Sequence, residues 1–166
     1  DSLSAGSSDD VTFIPPFAIG TTNDFTVNWG DGIEEIFEGD TLRHVYAAAG
    51  TYNVSIQGQI GEWAFSNSGD KDKMINVLEW GDFPMGTEAF FGCNNLNVDA
   101  VDGPSIKGDL RGIFNACPSL VTLEVSAWDM SQATNMKDAF FECTSLVTLD
   151  VSTWDVSNVT SMTSAF

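Results

Sequence analysis

The sequence predicts a mainly β chain with short helices, in which a small antiparallel β-sandwich is followed by an α/β repeat solenoid. Three observations carry this expectation. The C-terminal half repeats itself at a fixed spacing, the N-terminal half alternates apolar and polar residues in short runs broken by turns, and 43% of residues are hydrophobic, enough to fill a core. The expected division is a flexible leader over 1–10, the sandwich over 11–67, a linker and solenoid cap over 68–88, and repeats over 89–166.

The leader is rich in Ser, Gly and Asp and has no apolar run to bury. In the sandwich, Phe25 to Trp29 alternates and then meets Gly30-Asp31-Gly32. Asp-Gly between alternating runs is a hairpin signal, because these residues tolerate the left-handed backbone of a tight turn. Ile33 to Phe37 reads as the returning strand. His44 to Tyr46, Thr51 to Ile56 and Glu62 to Phe65 read as further strands. In the linker, Lys71 to Lys73 is polar and turn-like, and Met74 to Trp80 is apolar enough to pack on the first coil.

The repeat is read from identities. Phe114 to Ser131 recurs from Phe140 to Ser157, pairing Cys117 with Cys143, Leu120 with Leu146, Leu123 with Leu149, Val125 with Val151 and Trp128 with Trp154, each 26 residues apart. Phe166 falls another 26 beyond Phe140, and Phe90, Cys93 and Leu96 precede Phe114, Cys117 and Leu120 by 24. That earlier unit has Pro104 in place of the Trp and reads as a degenerate first turn. Leu120, Leu123 and Val125 are expected to point inward. Thr122, Glu124 and Ser126 are expected to point outward, by the two-residue alternation of a strand. Ser131 and Ser157 are candidate caps of a short helical turn, with Val159, Met162 and Phe166 as its buried stripe. Units this small bury their apolar faces only by stacking. A chain ending at Phe166 exposes the last face, so the expectation is that it continues or is covered by a partner or another copy.

Three cysteines at one position of successive units, Cys93, Cys117 and Cys143, read as a buried column of free thiols. A disulfide between neighbours would leave one odd thiol, and a metal site would lack its fourth ligand.

Charge excludes several function classes. The chain carries 24 acids and 6 bases, a net −18, shared between both halves. Such a surface repels phosphate backbones and anionic lipid surfaces. It leaves extracellular solubility, a cationic partner or divalent cations as readings. No apolar stretch approaches the ~20 residues of a membrane span.

The run Val27-Asn-Trp-Gly-Asp-Gly32, with His44-Val-Tyr-Ala47 and Gly50-Thr-Tyr-Asn-Val54, resembles the polycystic-kidney-disease (PKD) type domain. The repeat, with its Trp-Asp-x-Ser and Phe-x-x-Cys-x-x-Leu pattern, resembles the BspA-like leucine-rich-repeat surface proteins. Glu79 to Asp82 and Ala89 to Cys93 look like the entry segment of that family. These resemblances imply an extracellular or cell-surface protein tied to adhesion, with no catalytic residues to carry over.

The residues agree with a non-enzymatic role. His44 is the sole histidine and reads as a structural residue bonded to nearby backbone. No nucleophile pairs with it at a diagnostic spacing. Asp31, Glu34 and Glu35 are the calcium candidates, with Asp9, Asp10, Asp24, Glu38 and Asp40 as further oxygen donors, although no EF-hand or nonapeptide spacing is present. Calcium is the one cofactor entertained. Trp128 and Trp154 read as ladder residues. The preferred partner-binding face is Thr122, Glu124, Ser126, Thr148, Asp150 and Ser152. The expected partner is a protein or glycan on another cell or in the matrix, with self-association through the open repeat end as a further possibility. Nucleic acid and membrane insertion are not expected. Alternatives are a carbohydrate-binding accessory module, or a spacer in a larger surface protein.

Overall fold

The computed structural model describes residues 8–17, 23–37 and 42–166. The chain is mainly β, built from small sheets with almost no helix. The expected leader falls largely outside the described residues, as do Glu38 and Asp40.

In the N-terminal part, β1 (Thr12–Phe13) pairs antiparallel with β4 (His44–Val45). A second sheet has the order β3-β2-β5, from β2 (Asp24–Asn28), β3 (Glu34–Ile36) and β5 (Ser55–Gln59). The alternation in β2 turns Phe25 and Val27 inward, where they join Trp29 and Tyr46 in one buried cluster. The hairpin forms where the Asp-Gly signal lies. Trp29 N–H donates to the Ile33 carbonyl at 3.0 Å. Asn28 Oδ1 and Asp31 Oδ1 accept from the N–H groups of Gly30 and Ile33. Gly30 is needed there for two reasons: its φ is +79°, and a Cβ would sit 2.5 Å from the Asn53 carbonyl oxygen.

Three details differ from expectation. Strand β5 starts at Ser55 instead of Thr51, and the Tyr52 side chain folds back over the bend at residues 47–49. Its ring stacks on Tyr46 at 3.9 Å and its hydroxyl donates to the Ala48 carbonyl. Ser8 and Asp9, assigned to the leader, are tied down, since Lys73 Nζ donates to both of their carbonyls. Glu62 to Phe65 is not a sandwich strand. Among the described residues its one β-bridge is Phe17–Trp63, and Trp63 and Phe65 belong to the core of the repeats.

That last correction changes the repeat count. Phe65 N–H donates to the Ala89 carbonyl, Phe90 to Ile113, Phe114 to Ala139, and Phe140 to Ala165. Two residues further on, Asn67, Gly92 and Ala116 donate to Phe91, Asn115 and Phe141. Phe65 is therefore the first rung of the ladder that runs through Phe90, Phe114 and Phe140 to Phe166. The same segment has Ser68 where later units have cysteine, and Lys71 where they have Leu96, Leu120 and Leu146. Lys71 is buried, and its amine donates to the Gly92 carbonyl at 2.6 Å and to Asp72 at 3.1 Å. A buried ammonium is tolerated only when hydrogen-bonded in this way.

Successive units lie parallel and in register. Strand β6 (Asn76–Val77) pairs with β8 (Asn97–Val98), and β7 (Pro84–Met85) with β9 (Ser105–Ile106). Further along, single bridges join Asp109 to Asn135 and Thr122 to Thr148. The phenyl rings of Phe90, Phe114, Phe140 and Phe166 stack at 5.4, 5.8 and 5.7 Å. Trp128 and Trp154 stack at 6.1 Å. Leu120, Leu123, Val125, Trp128, Met130 and Met136 are buried. Each such side chain contributes about 1.5–3 kcal/mol of burial free energy.

The expected helical turns are smaller than the spacing suggested. Met130–Gln132 is a single 3₁₀ turn, capped by Asp129, whose carboxylate accepts from Ser131 N–H; Ser131 is not the cap. The segment 159–166 forms no helix and holds a single turn at residues 163–164, with Met162 and Phe166 exposed. Left-handed residues recur instead: Asn67, Gly92, Ala116 and Glu142, each two residues after a ladder Phe, have φ of 59°, 77°, 53° and 61°. This column turns the chain at each unit, and glycine fills it once. A non-glycine residue there costs about 1–2 kcal/mol, while glycine costs about 0.4–1 kcal/mol through unfolded-chain entropy. Ala116→Gly is thus expected to stabilise the protein by about 0.5–1 kcal/mol, read as a higher urea midpoint at unchanged slope. A lower midpoint would show that this column carries no backbone strain.

Candidate functional site

The outward column lies on one side of the stacked units. Thr122, Glu124 and Ser126 are exposed, as are Thr148, Asp150 and Ser152 one unit later. The Thr122–Thr148 bridge and the bond from Val147 N–H to the Val121 carbonyl hold the two trios in register. Between them, Leu123 and Val125 are buried, while Leu149 and Val151 are half-buried.

The acids in this column also build the backbone. Glu124 accepts from Ser126 N–H at 2.8 Å, and Asp150 from Ser152 N–H at 3.0 Å. Asp129 with Ser131 and Asp155 with Ser157 repeat the same two-residue bond. Such carboxylate-to-backbone turns are a common use of Asp in loops. Hydrogen bonding from the following serine, side chain first and then backbone, holds all four carboxyls below their ordinary range. Across the units, Asp150 opposes this at Glu124 and Asp155 opposes it at Asp129, and the hydrogen bonds win. Asp129 and Asp155 thus form a second exposed acidic column beside the first. The repeated Trp-Asp-x-Ser pattern is its signature in the sequence.

The calcium candidates are not brought together. Asp31 pairs with His44 Nε2 at 2.8 Å, and that hydrogen bond is the main reason its carboxyl lies below the ordinary range. Glu35 accepts from the Trp29 indole at 2.8 Å, and Glu34 stands exposed. Among the described residues, no three His, Cys, Asp or Glu side chains are grouped to hold a metal ion. The His44 ring is bonded to this carboxylate, and among the described residues to no backbone group. Its ring is sandwiched in the sheet core, stacked on Trp29 at 4.6 Å and edge-on to Tyr46 at 4.5 Å.

The cysteines are free and follow the ladder. Cys117 Sγ donates to the Phe90 carbonyl at 3.1 Å and Cys143 Sγ to the Phe114 carbonyl at 3.0 Å. Burial pushes the Cys117 thiol up to about 12 and Cys143 up to about 11, and it raises Cys93 as well. Thiols held protonated in this way donate hydrogen bonds and are poor nucleophiles.

Among the described residues, no helix is long and apolar enough to cross a membrane. No curated protein and no solved structure matches the chain. Residues 86–166, just under half of the chain, are similar to a family described as Mycoplasma protein of unknown function, DUF285; the match takes in the ladder from Phe90 onward and leaves the Phe65 rung outside it.

Proposed function

We propose that this chain is a non-enzymatic binding module of a secreted or cell-surface protein. In this reading the stacked units are a leucine-rich-repeat-type solenoid of the BspA-like kind, set behind a PKD-like β-sandwich. The solenoid contacts a partner protein through Thr122, Glu124, Ser126, Thr148, Asp150 and Ser152. One observation supports this above the rest: two identical-position trios are exposed in register, and their backbone is fixed by the Ser126 and Ser152 N–H bonds. A surface already rigid before binding loses little entropy on association. Its acidity favours a basic patch on the partner and a salt-sensitive association rate.

The test must separate charge from turn geometry, because a Lys at either acid would break both. Glu124→Gln with Asp150→Asn keeps an oxygen acceptor and removes two charges. Capture of proteins from cell-surface extracts on the immobilised chain should lose its specific band in this variant, at unchanged melting temperature. A band that persists would remove this face from the proposal. Saturable binding on a glycan array with no captured protein would favour a carbohydrate-binding module instead.

A further inference from the structure

A large cleft among the described residues lies away from the outward column, lined by both the N-terminal sheet and the start of the repeats. It has a volume of about 1320 Å³, larger than the roughly 300–1,000 Å³ typical of a small-molecule site. One wall is β5: Ser55, Ile56, Gln57 and Gly58 all line it. The opposite wall is β6 with its flanks, from Met74 to Asp82.

Both walls include a strand with one unpaired edge among the described residues. There, strand β5 has β2 on one side and no strand on the other, and strand β6 pairs with β8 alone. The carbonyls of Ile75 and Val77 accept from Asn97 and Asp99, so these two residues face β8. Successive backbone groups of a strand point to opposite edges, so Asn76 and Leu78 turn theirs away from β8. Two unpaired edges that flank one cleft form a template for an added strand.

The lining specifies what that strand carries. Ile75 and Leu78 line the cleft and are 47% and 58% exposed; three apart on an extended segment, they offer an apolar contact to each face of an added strand. Asp10, Glu79 and Asp82 line it, with Asp72, which is already paired to Lys71, and the one base of the lining is Lys73. That base is engaged with Asp70 and with the carbonyls of Ser8, Asp9 and Thr12.

We propose that this cleft takes an extended, lysine- or arginine-bearing peptide segment of a partner protein as an added β-strand between β5 and β6. Backbone hydrogen bonds to the two edges supply affinity. The acids select basic side chains, and Ile75 and Leu78 receive the apolar ones between them. This site is independent of the outward column, and either can fail without the other.

The probe is a fluorescent nonapeptide that alternates valine and threonine and carries lysine at both ends, titrated into the full chain and followed by anisotropy. Saturable binding is expected. It should weaken at least about tenfold when alternate peptide nitrogens are methylated, because edge hydrogen bonds are then lost. It should weaken comparably in the variant Glu79→Lys with Asp82→Lys, both exposed positions, with the melting temperature as the check on folding. The variant Glu124→Gln with Asp150→Asn should bind the peptide as the parent does. Absence of saturable binding, equal binding of the methylated peptide, or charge reversal without effect would each overturn the proposal. So would a neutral oligosaccharide that displaces the peptide completely while the methylated peptide binds as well as the parent.

Discussion

Replacing Asp70 with Ala is expected to destabilise the protein by about 3 kcal/mol or more, among the largest single effects in the chain. Asp70 is 1% exposed. Its carboxylate accepts from the N–H groups of Ser8 and Ile14, both at 2.7 Å, from the Ser8 hydroxyl, and faces Lys73 Nζ at 3.3 Å. Removing it takes this acceptor away from two backbone donors and leaves an ammonium beside them. Each lost buried bond of this kind costs about 1–3 kcal/mol where water does not replace it. Lys73 is partly exposed, and its carbonyl acceptors remain, which places the sum toward the lower end. The carboxylate also joins residues far apart in sequence, so the loss is local first. Hydrogen exchange at Ile14 is expected to accelerate before the repeats lose protection. Ser8→Ala, which removes only hydroxyl bonds, is the control and should cost about 1 kcal/mol. Urea midpoints that agree for the two variants would mean that Asp70 does not clasp the two parts of the chain.

How far the structure was legible in the sequence depends on whether a position repeats its residue type or only its backbone. Phe114 and Phe140 share a side chain, and the spacing between them is also the spacing of the ring stack. Phe65 does the same structural work, yet Ser68 and Lys71 stand where cysteine and leucine mark the other units. The signals that remained were Ala64-Phe65, matching Ala89-Phe90 and Ala139-Phe140, and Trp80 placed 24 residues before Pro104 and 48 before Trp128. The turns were least legible. Ala116, Asp138 and Glu142 hold left-handed conformations that their residue types do not announce, because the ladder hydrogen bonds over-determine them. Lying between strands, such turns leave pairings of two residues or single bridges where the alternation suggested longer strands. The acids were legible as a charge and not as a site. Glu124, Asp129, Asp150 and Asp155 fold back on their own backbone, and Asp31 is held by His44. Among the described residues, density of acid in the sequence therefore did not translate into three such side chains around one point.

Phe114→Ala is expected to cost about 3–5 kcal/mol, the range for truncating a buried aromatic residue, whereas Phe166→Ala is expected to cost less than about 1 kcal/mol. The two residues occupy the same position of successive units, which makes the comparison informative. Phe114 is fully buried, stacked at 5.4 Å on Phe90 and 5.8 Å on Phe140, with Trp80 and Trp128 at 6.5 and 6.3 Å. Phe166 stacks on Phe140 alone and is 65% exposed. Deleting the first ring opens a cavity between two units and removes two stacking pairs, each worth about 0.5–1.5 kcal/mol beyond burial. Deleting the second removes one pair at a face already wet. In a stack whose units contact chiefly their neighbours, with Trp80 reaching two units on to Phe114 and Trp128, weakening one junction also loosens the units on either side. The urea transition of Phe114→Ala should therefore broaden or split, with a smaller slope, while that of Phe166→Ala shifts little and keeps its slope. A double-mutant cycle of Phe90→Ala with Phe114→Ala should show coupling of about 0.5 kcal/mol or more, because the rings are in contact. Equal costs for Phe114→Ala and Phe166→Ala, with additive behaviour in the cycle, would mean that the rings fill space independently and that the ladder hydrogen bonds from Phe65 to Ala165 hold the units together without them.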